Sequence, residues 1–150
     1  MFDRMTDHAR AIMGLARLNS KRLNHDSIST EHILIGLIEE HEGVADAVIS
    51  RLGFSLKSIR EAVEKQSPPR TGTPVEGHKL HYSACTKQAL ENAFTEAKNM
   101  SHNYIGSEHL LVGLIKEEEG IAGKILREAG LTIEAAEREI KNFIIERGNS

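Results

Sequence analysis

The chain has 150 residues, 39% of them hydrophobic and 27% charged, and a net charge of −3 from 19 basic and 22 acidic side chains. With no basic surplus it lacks the electrostatic character of a phosphate-backbone binder, so nucleic acid is not an expected partner. A single cysteine excludes an internal disulfide and any multi-cysteine metal site.

The amino terminus, MFDRMTDHARAIMG, contains acids and no apolar core of signal-peptide length. No apolar run elsewhere approaches the length of a membrane-spanning helix. We therefore expect a cytoplasmic protein without a membrane partner. The chain has no tryptophan, four Phe and two Tyr, so its core must consist of Leu, Ile, Val, Ala and Met.

The first predicted helix begins at Thr6. Its hydroxyl is suited to an N-cap, and Asp7 places an acid in the first turn, where it complements the helix dipole. Small and apolar residues then recur at spacings of three and four, which predicts one buried helix face. The residues of this face are Ala9, Ile12, Met13, Ala16 and Ser20.

A second helix is predicted to begin at Ser29 or Thr30 and to carry Ile33, Leu34, Leu37 and Ile38 on its apolar face. It should stop before Gly43, which we interpret as a C-terminal glycine.

A short third helix is predicted over Val44–Arg51, ending at Leu52 and Gly53. A fourth helix should begin at the capping residue Ser55.

A linker follows at Gln66–Leu80, with the sequence QSPPRTGTPVEGHKL, which contains all three prolines of the chain. Proline lacks a backbone donor and disfavours helix in the residue before it, so this segment should separate two units. Repeat one then covers about residues 1–65, the linker about 66–80 and repeat two about 81–147, within a single domain spanning 1–150.

The second unit repeats the first. The stretch ISTEHILIGLIEEHEGVA at Ile28–Ala45 is matched by IGSEHLLVGLIKEEEGIA at Ile105–Ala122. The offset is 77 residues (108 − 31) and holds without a gap over about sixty residues. Residues paired by this offset include Thr6 with Ser83, Ala16 with Ala93, His25 with His102, Glu31 with Glu108, Gly36 with Gly113 and Gly53 with Gly130.

The duplication predicts caps at Ser83, Ser107 and Thr132 in the second unit. Nothing in the chain alternates with the period of a strand for long. The predicted fold is therefore all-α, with eight helices arranged as two tandem four-helix repeats related by a pseudo-twofold axis.

Eight histidines raise the question of a metal or catalytic site. His32 and His109 each follow a glutamate, but neither lies in an HExxH motif and neither has a second ligand four residues on. We interpret both as helix-start histidines that form local hydrogen bonds or pack between helices. His25 and His102 precede the second helix of each unit and are assigned a structural role in that turn.

No catalytic or cofactor motif is found. Gly120–Lys124 resembles a phosphate loop, but the glycine spacing is wrong and Ile125 stands where a hydroxyl residue is required. Cys85 has no base and acid partners at a recognisable spacing and is interpreted as a small apolar helix residue. We expect no enzyme, no cofactor and no metal.

Both units share the pattern His-x-x-Ile-x-[Thr/Ser]-Glu-His-[Ile/Leu]-Leu-x-Gly-Leu-Ile, followed by Glu-Gly-[Val/Ile]-Ala, at His25–Ala45 and His102–Ala122. This pattern resembles the Clp amino-terminal repeat, and most closely the N-terminal domain of ClpC-type AAA+ unfoldases. The resemblance implies an all-helical module that receives protein substrates and adaptor proteins for an unfoldase coupled to a protease. The ATPase modules are absent, so the sequence is either a domain of a longer unfoldase or a stand-alone Clp-repeat protein.

The resemblance also implies recognition of proteins marked with phosphoarginine. The positions that match the family's pockets, one pocket per repeat, are Thr6, Glu31, Ser83 and Glu108, where Ser83 replaces an expected threonine. A helix start suits the phosphate and a carboxylate suits the guanidinium. Two alternatives stay open. Glu31 and Glu108 could serve only as helix-start acids, and the domain could dock adaptors without a phosphoarginine pocket.

Overall fold

The computed structural model describes residues 2–76 and 80–148, and the helices within them confirm the predicted all-α fold of eight helices. The predicted start of repeat one at residue 1, the last residues of the predicted domain at 149–150 and the linker residues 77–79 lie outside the described residues. The helices are α1 (Asp7–Arg22), α2 (Thr30–Glu40), α3 (Val44–Arg51), α4 (Leu56–Gln66), α5 (Ala84–Asn99), α6 (Ser107–Lys116), α7 (Ile121–Glu128) and α8 (Ile133–Gly148). A 3-10 turn at Phe2–Arg4 precedes α1.

Four of the predicted caps are confirmed. In each, a hydroxyl oxygen accepts a hydrogen bond from the backbone N–H three residues on, at 3.1 Å, and satisfies a donor that the first helical turn leaves unpaired. The capping residues are Thr6, Ser55, Ser83 and Thr132.

Two short parallel pairings, which the sequence did not predict, join the repeats. Strand β1 (Ser27–Ile28) pairs with strand β2 (His81–Tyr82), and Met5 forms an isolated bridge with Ile105. The second pairing is the counterpart of the first, because Ile28 and Ile105 differ by 77 positions, as do Met5 and Tyr82. The segment that enters α1 therefore lies against the segment that enters α6, and the segment that enters α5 lies against the one that enters α2.

The predicted role of Gly43 is wrong. Helix α2 ends at Glu40, and its C-cap is His41, which adopts a left-handed backbone with φ of 43°. Gly43 instead is the N-cap of α3, with φ of −87° and ψ of 175°. The predicted stop of α3 is confirmed, since Leu52 is its C-cap and Gly53 follows with φ of 85°.

The predicted cap at Ser107 is also wrong. The N-caps of α2 and α6 are Ser29 and Gly106, so Thr30 and Ser107 are the first helical residues. Their hydroxyls accept hydrogen bonds from backbone N–H groups of the other repeat. The N–H of Ala45 in α3 donates to Ser107 Oγ at 3.1 Å.

In the matching hydrogen bond the donor is in repeat two and the acceptor in repeat one: the N–H of Ala122 in α7 donates to Thr30 Oγ1 at 3.3 Å. The two glycine N-caps make room for these hydroxyls. A Cβ at Gly43 would lie 2.5 Å from Ser107 Oγ, and one at Gly120 would lie 2.6 Å from Thr30 Oγ1. Each repeat therefore caps a helix of the other through a contact that a larger residue would block.

One hydrophobic core extends through both repeats and is built as the composition predicts. Every buried hydrophobic residue in the described part of the chain is Leu, Ile, Val, Ala or Met. Helices α2 and α6 are central, with eight of 11 and nine of 10 residues buried respectively. Each packs against the preceding long helix of its own repeat, α1 or α5.

Within residues 2–76 and 80–148, none of the helices combines the length and the apolar character that crossing a bilayer requires.

Replacing Thr30 with valine should lower the free energy of unfolding by about 1–2 kcal/mol, because it removes the acceptor for the buried N–H of Ala122. Urea denaturation of the variant measures the loss. The matched control is Thr95→Val, since Thr95 is exposed on α5 and its substitution should change stability by less than about 0.5 kcal/mol. Equal losses in the two variants would show that the hydrogen bond between the repeats adds nothing.

Candidate functional site

The four predicted site residues lie at helix starts on the junction between the repeats. The N–H of Thr6 donates to Ile105 O at 2.9 Å, three residues before Glu108. The N–H of Ser83 donates to Ile28 O at 3.0 Å, three residues before Glu31. The backbone thus joins each hydroxyl helix start to the acidic helix start of the other repeat. The expected pockets, one per repeat, stay a prediction. The backbone contacts group the four residues into two composite positions, Thr6 with Glu108 and Ser83 with Glu31, each built from both repeats.

Glu31 is buried, with 7% of its surface exposed, and its carboxylate is already engaged. Ser67, the residue directly after α4, donates from its hydroxyl to Glu31 Oε2 at 2.8 Å. Ser67 is itself buried. An ionised carboxylate has about four acceptor positions, so this bond leaves Glu31 with capacity for a further donor.

Glu108 is more deeply buried, with 3% exposed, and Tyr104 donates to its Oε2 at 3.4 Å. Burial raises the pKa of Glu108, although its backbone hydrogen bond, His102, Tyr104 and Arg147 oppose the shift. The carboxylate folds back over Gly106, so that any side chain at position 106 would collide with it. This explains why the cap of α6 is a glycine where the cap of α2 is Ser29.

The electrostatic surroundings of the α5 start are acidic. Cys85, in its first turn, has a thiol pKa raised by burial first and then by Glu117, Glu119 and Glu31. A helix N-terminus ordinarily lowers the pKa of a thiol, whereas burial and the nearby carboxylates raise the pKa of Cys85.

A chain of hydrogen bonds fixes the histidines of repeat one. The N–H of Ser29 donates to His32 Nδ1 at 2.8 Å, so the proton of the neutral His32 ring is on Nε2. His32 Nε2 lies 2.7 Å from His25 Nδ1, and His25 Nε2 lies 2.9 Å from Pro68 O. The chain therefore runs from the cap of α2 through both imidazoles to the carbonyl of Pro68.

Repeat two contains the same pair. The N–H of Gly106 donates to His109 Nδ1 at 2.9 Å, and His109 Nε2 lies 2.8 Å from His102 Nδ1. Burial lowers the pKa values of both His32 and His109 to about 4, with the neighbouring histidine adding to the effect. With these pKa values both rings are neutral at pH 7. The hydrogen bonds from the N–H groups of Ser29 and Gly106 confirm the interpretation of helix-start histidines with local hydrogen bonds.

One group in the described residues has the side chains of a metal site, namely His25, Glu31 and His32. The donor chemistry does not fit a cation. A metal would need the lone pair of His32 Nε2, which would move the proton to Nδ1, opposite the N–H of Ser29. Metal binding would thus break the cap of α2, so these residues are better explained as structural.

The geometry offers two hydroxyl-capped helix starts, Thr6 and Ser83, each joined through the backbone to the helix start that carries a buried carboxylate. Sequence reasoning identified the capping hydroxyls and the two acids. It missed that Ser67 donates to Glu31 and that Tyr104 donates to Glu108. The seven-residue spacing of His25 to His32, repeated at His102 to His109, was the available signal for the histidine pairs.

Residues 4–83 and 81–149 each match the model of the Clp repeat (R) N-terminal domain family. The negative regulator of genetic competence ClpC/MecB of Bacillus subtilis is 36% identical over 149 residues, and the chaperone protein ClpB of Oceanobacillus iheyensis is 35% identical over 149 residues. Each alignment covers 96% of this chain and 17% of the relative. The chain thus spans about a sixth of the length of these curated relatives.

Solved structures show the same fold. The N-terminal domain of the chaperone ClpD from Arabidopsis thaliana superposes with a TM-score of 0.73 at 25% identity, covering 96% of both chains. The Hsp104 N-terminal domain from Candida albicans has a TM-score of 0.73 at 19% identity, covering 91% of this chain and 88% of the other. The N-domain of ClpV from Vibrio cholerae has a TM-score of 0.78 at 14% identity, covering 95% and 84%.

Acid should destabilise the domain through His32 and His109. Their native pKa values of about 4 lie below the ordinary 6.5, so the unfolded state binds more protons between these values. Their contribution to stability is complete above pH 6.5 and is lost as the pH falls towards 4. Between pH 7.5 and 4.5 the loss is about 2.5 kcal/mol per histidine.

The double variant His32→Gln with His109→Gln keeps a cap acceptor but cannot titrate, so its stability should fall less over this pH range. Urea denaturation at the two pH values measures the difference. His81→Gln is the control, because His81 is exposed, and it should lose as much stability as the parent. A double variant that is as acid-sensitive as the parent would contradict this account.

Proposed function

Because the chain belongs to the Clp repeat (R) N-terminal domain family, we propose that it is the substrate- and adaptor-binding module of a ClpC-type unfoldase and protease system. Its partners would be protein substrates, adaptor proteins and the Clp ATPase and protease of the parent assembly. The module works by binding and has no chemistry of its own. Its cytoplasmic location stays a prediction from the sequence.

The proposal extends to phosphoarginine as the mark on the substrate. The observation that carries it is the pairing of each hydroxyl-capped helix start with the acidic helix start of the other repeat. Free N–H groups at the first turns of α1 and α5 suit a phosphate, and the carboxylates of Glu108 and Glu31 suit a guanidinium. A phosphoarginine side chain carries both groups, so each composite position would contact it at two ends.

One alternative is favoured by specific observations. Glu31 and Glu108 are buried and each accepts a hydrogen bond from a hydroxyl of this chain. The acids around Cys85 also make the α5 start less attractive to an anion. The alternative is a domain that docks adaptor proteins through its surface and has no phosphoarginine pocket.

Calorimetric titration with free phosphoarginine should show two equivalents bound to the parent chain. Glu31→Ala should abolish one, and Glu31→Ala with Glu108→Ala should abolish both, because each loses a charge-assisted contact of about 1.5–3 kcal/mol. Glu42→Ala, at an exposed glutamate, is the control and should bind as the parent does.

Circular dichroism must show that the double variant is folded. Titrations with arginine and with inorganic phosphate test whether the protein binds both the guanidinium and the phosphate of the ligand. If the folded double variant binds phosphoarginine as well as the parent, the adaptor-docking alternative stands.

Replacing Ser67 with alanine should tighten phosphoarginine binding at Glu31 by about two- to tenfold, because the guanidinium would no longer compete with an internal donor. The same calorimetric titration measures it. Ser58→Ala, at an exposed serine of α4, should leave the affinity unchanged. An affinity that is unchanged or weakened in Ser67→Ala would show that the Ser67 hydroxyl does not compete for this carboxylate.

A further inference from the structure

A groove of about 370 Å³ lies between α4 and α7, away from the four residues proposed to read phosphoarginine. Its walls are mainly apolar. Ile59 and Ile125 are buried at its base and Phe54 is half-buried. The complete lining is Gly53, Phe54, Ser55, Ser58, Ile59, Ala62, Ile125, Glu128 and Ala129.

Glu128 is the one charged residue of this lining. It is exposed, and no hydrogen bond or ion pair engages its carboxylate within the described part of the chain. The groove therefore combines an apolar floor with a single acid at its edge.

The pseudo-twofold axis relates this groove to the space between α3 and α8. There, side chains of the chain itself fill the equivalent position, which we call the filled counterpart. The 77-residue offset relates Glu128 to Arg51 and Ala62 to Glu139. Arg51 Nε lies 3.1 Å from Glu139 Oε1, and its Nη2 lies 2.7 Å from Glu146 Oε1.

The same guanidinium lies 5.6 Å from the ring centroid of Phe143. In this counterpart an arginine thus sits between an aromatic ring and two carboxylates, and it closes the helix pair.

The α4–α7 groove lacks both covering groups. Helix α4 ends at Gln66, the position that corresponds to Phe143, whereas α8 continues to Gly148. Where the filled counterpart has the guanidinium of Arg51, the open groove has the carboxylate of Glu128. Compared with the α3–α8 counterpart, the α4–α7 groove lacks equivalents of the Phe143 ring and the Arg51 cation. Its lining is an apolar surface with the acid Glu128 at its edge.

We propose that the α4–α7 groove binds a segment of a partner protein that presents an arginine beside an aromatic side chain. The aromatic ring packs against Phe54, Ile59 and Ile125, and the guanidinium pairs with Glu128. The segment supplies from outside the two groups that Arg51 and Phe143 supply within the chain on the equivalent helix pair. This surface is additional to the proposed phosphoarginine positions.

The probe is N-acetyl-phenylalanyl-arginine amide, titrated into the nitrogen-15-labelled chain and followed by amide chemical shifts. The expected shifts cluster at residues 53–62 and 125–129. Glu128→Gln should weaken binding about fivefold, which is the scale of an exposed ion pair. Glu91→Gln, at an exposed glutamate of α5, should leave it unchanged.

N-acetyl-phenylalanyl-glutamine amide should bind the parent about as weakly as the arginine probe binds Glu128→Gln, and it should not distinguish the two proteins. A second variant closes the groove from within. Glu128→Arg with Ala62→Glu recreates the pair of the filled counterpart and should abolish the shifts at the groove while the fold is retained.

Shifts that cluster elsewhere, or an arginine probe that binds Glu128→Gln as well as the parent, would overturn the proposal. Groove shifts that grow with protein concentration, without any probe, would do the same by identifying a second copy of the chain as the occupant. Glu128→Gln should leave the phosphoarginine titration unchanged, so failure here is distinguishable from failure of the proposed function.

Discussion

The exchange of hydrogen bonds between the repeats is the constraint on which the rest of the structure depends. The N–H of Ala45 is capped by Ser107, that of Ala122 by Thr30, and the segments entering the long helices pair across the same boundary. A repeat on its own would leave these donors without partners and would expose the apolar faces of α2 and α6. The two halves therefore form one core, and their relative position follows from the exchange.

That same boundary brings the candidate site together. Because α2 and α6 are buried along most of their length, the acids in their first turns are buried as well, and each needs a donor from its surroundings. The neutral imidazoles of His32 and His109 hold the caps of these helices without adding charge to the interior. The carboxylates of Glu31 and Glu108 each accept a hydrogen bond from within the chain, so a ligand at the proposed positions would add contacts to carboxylates that are already oriented.

The duplication preserves backbone geometry while its charges diverge. In repeat one, Asn19 donates to Glu39 at 2.6 Å and Arg60 donates to the same carboxylate at 3.4 Å. The equivalent positions in repeat two hold Glu96, Lys116 and Glu137, where Lys116 pairs with Glu96 at 3.2 Å. Burial and the nearby Glu96 raise the pKa of Glu137. The same divergence fills one interhelical groove with an arginine and leaves its counterpart open, so the two halves present different surfaces to partners.

The sequence by itself determined the eight helices, the 77-residue register and four of the N-caps, because apolar spacing and a hydroxyl three residues before its donor are local features. It also identified the acids at the two central helix starts. Only the tertiary structure decided what Thr30 and Ser107 do, since their donors lie 92 and 62 residues away. Ser67 meets Glu31 across 36 residues for the same reason. Contacts between distant segments follow no fixed spacing, so they become visible only when the two repeats are packed together.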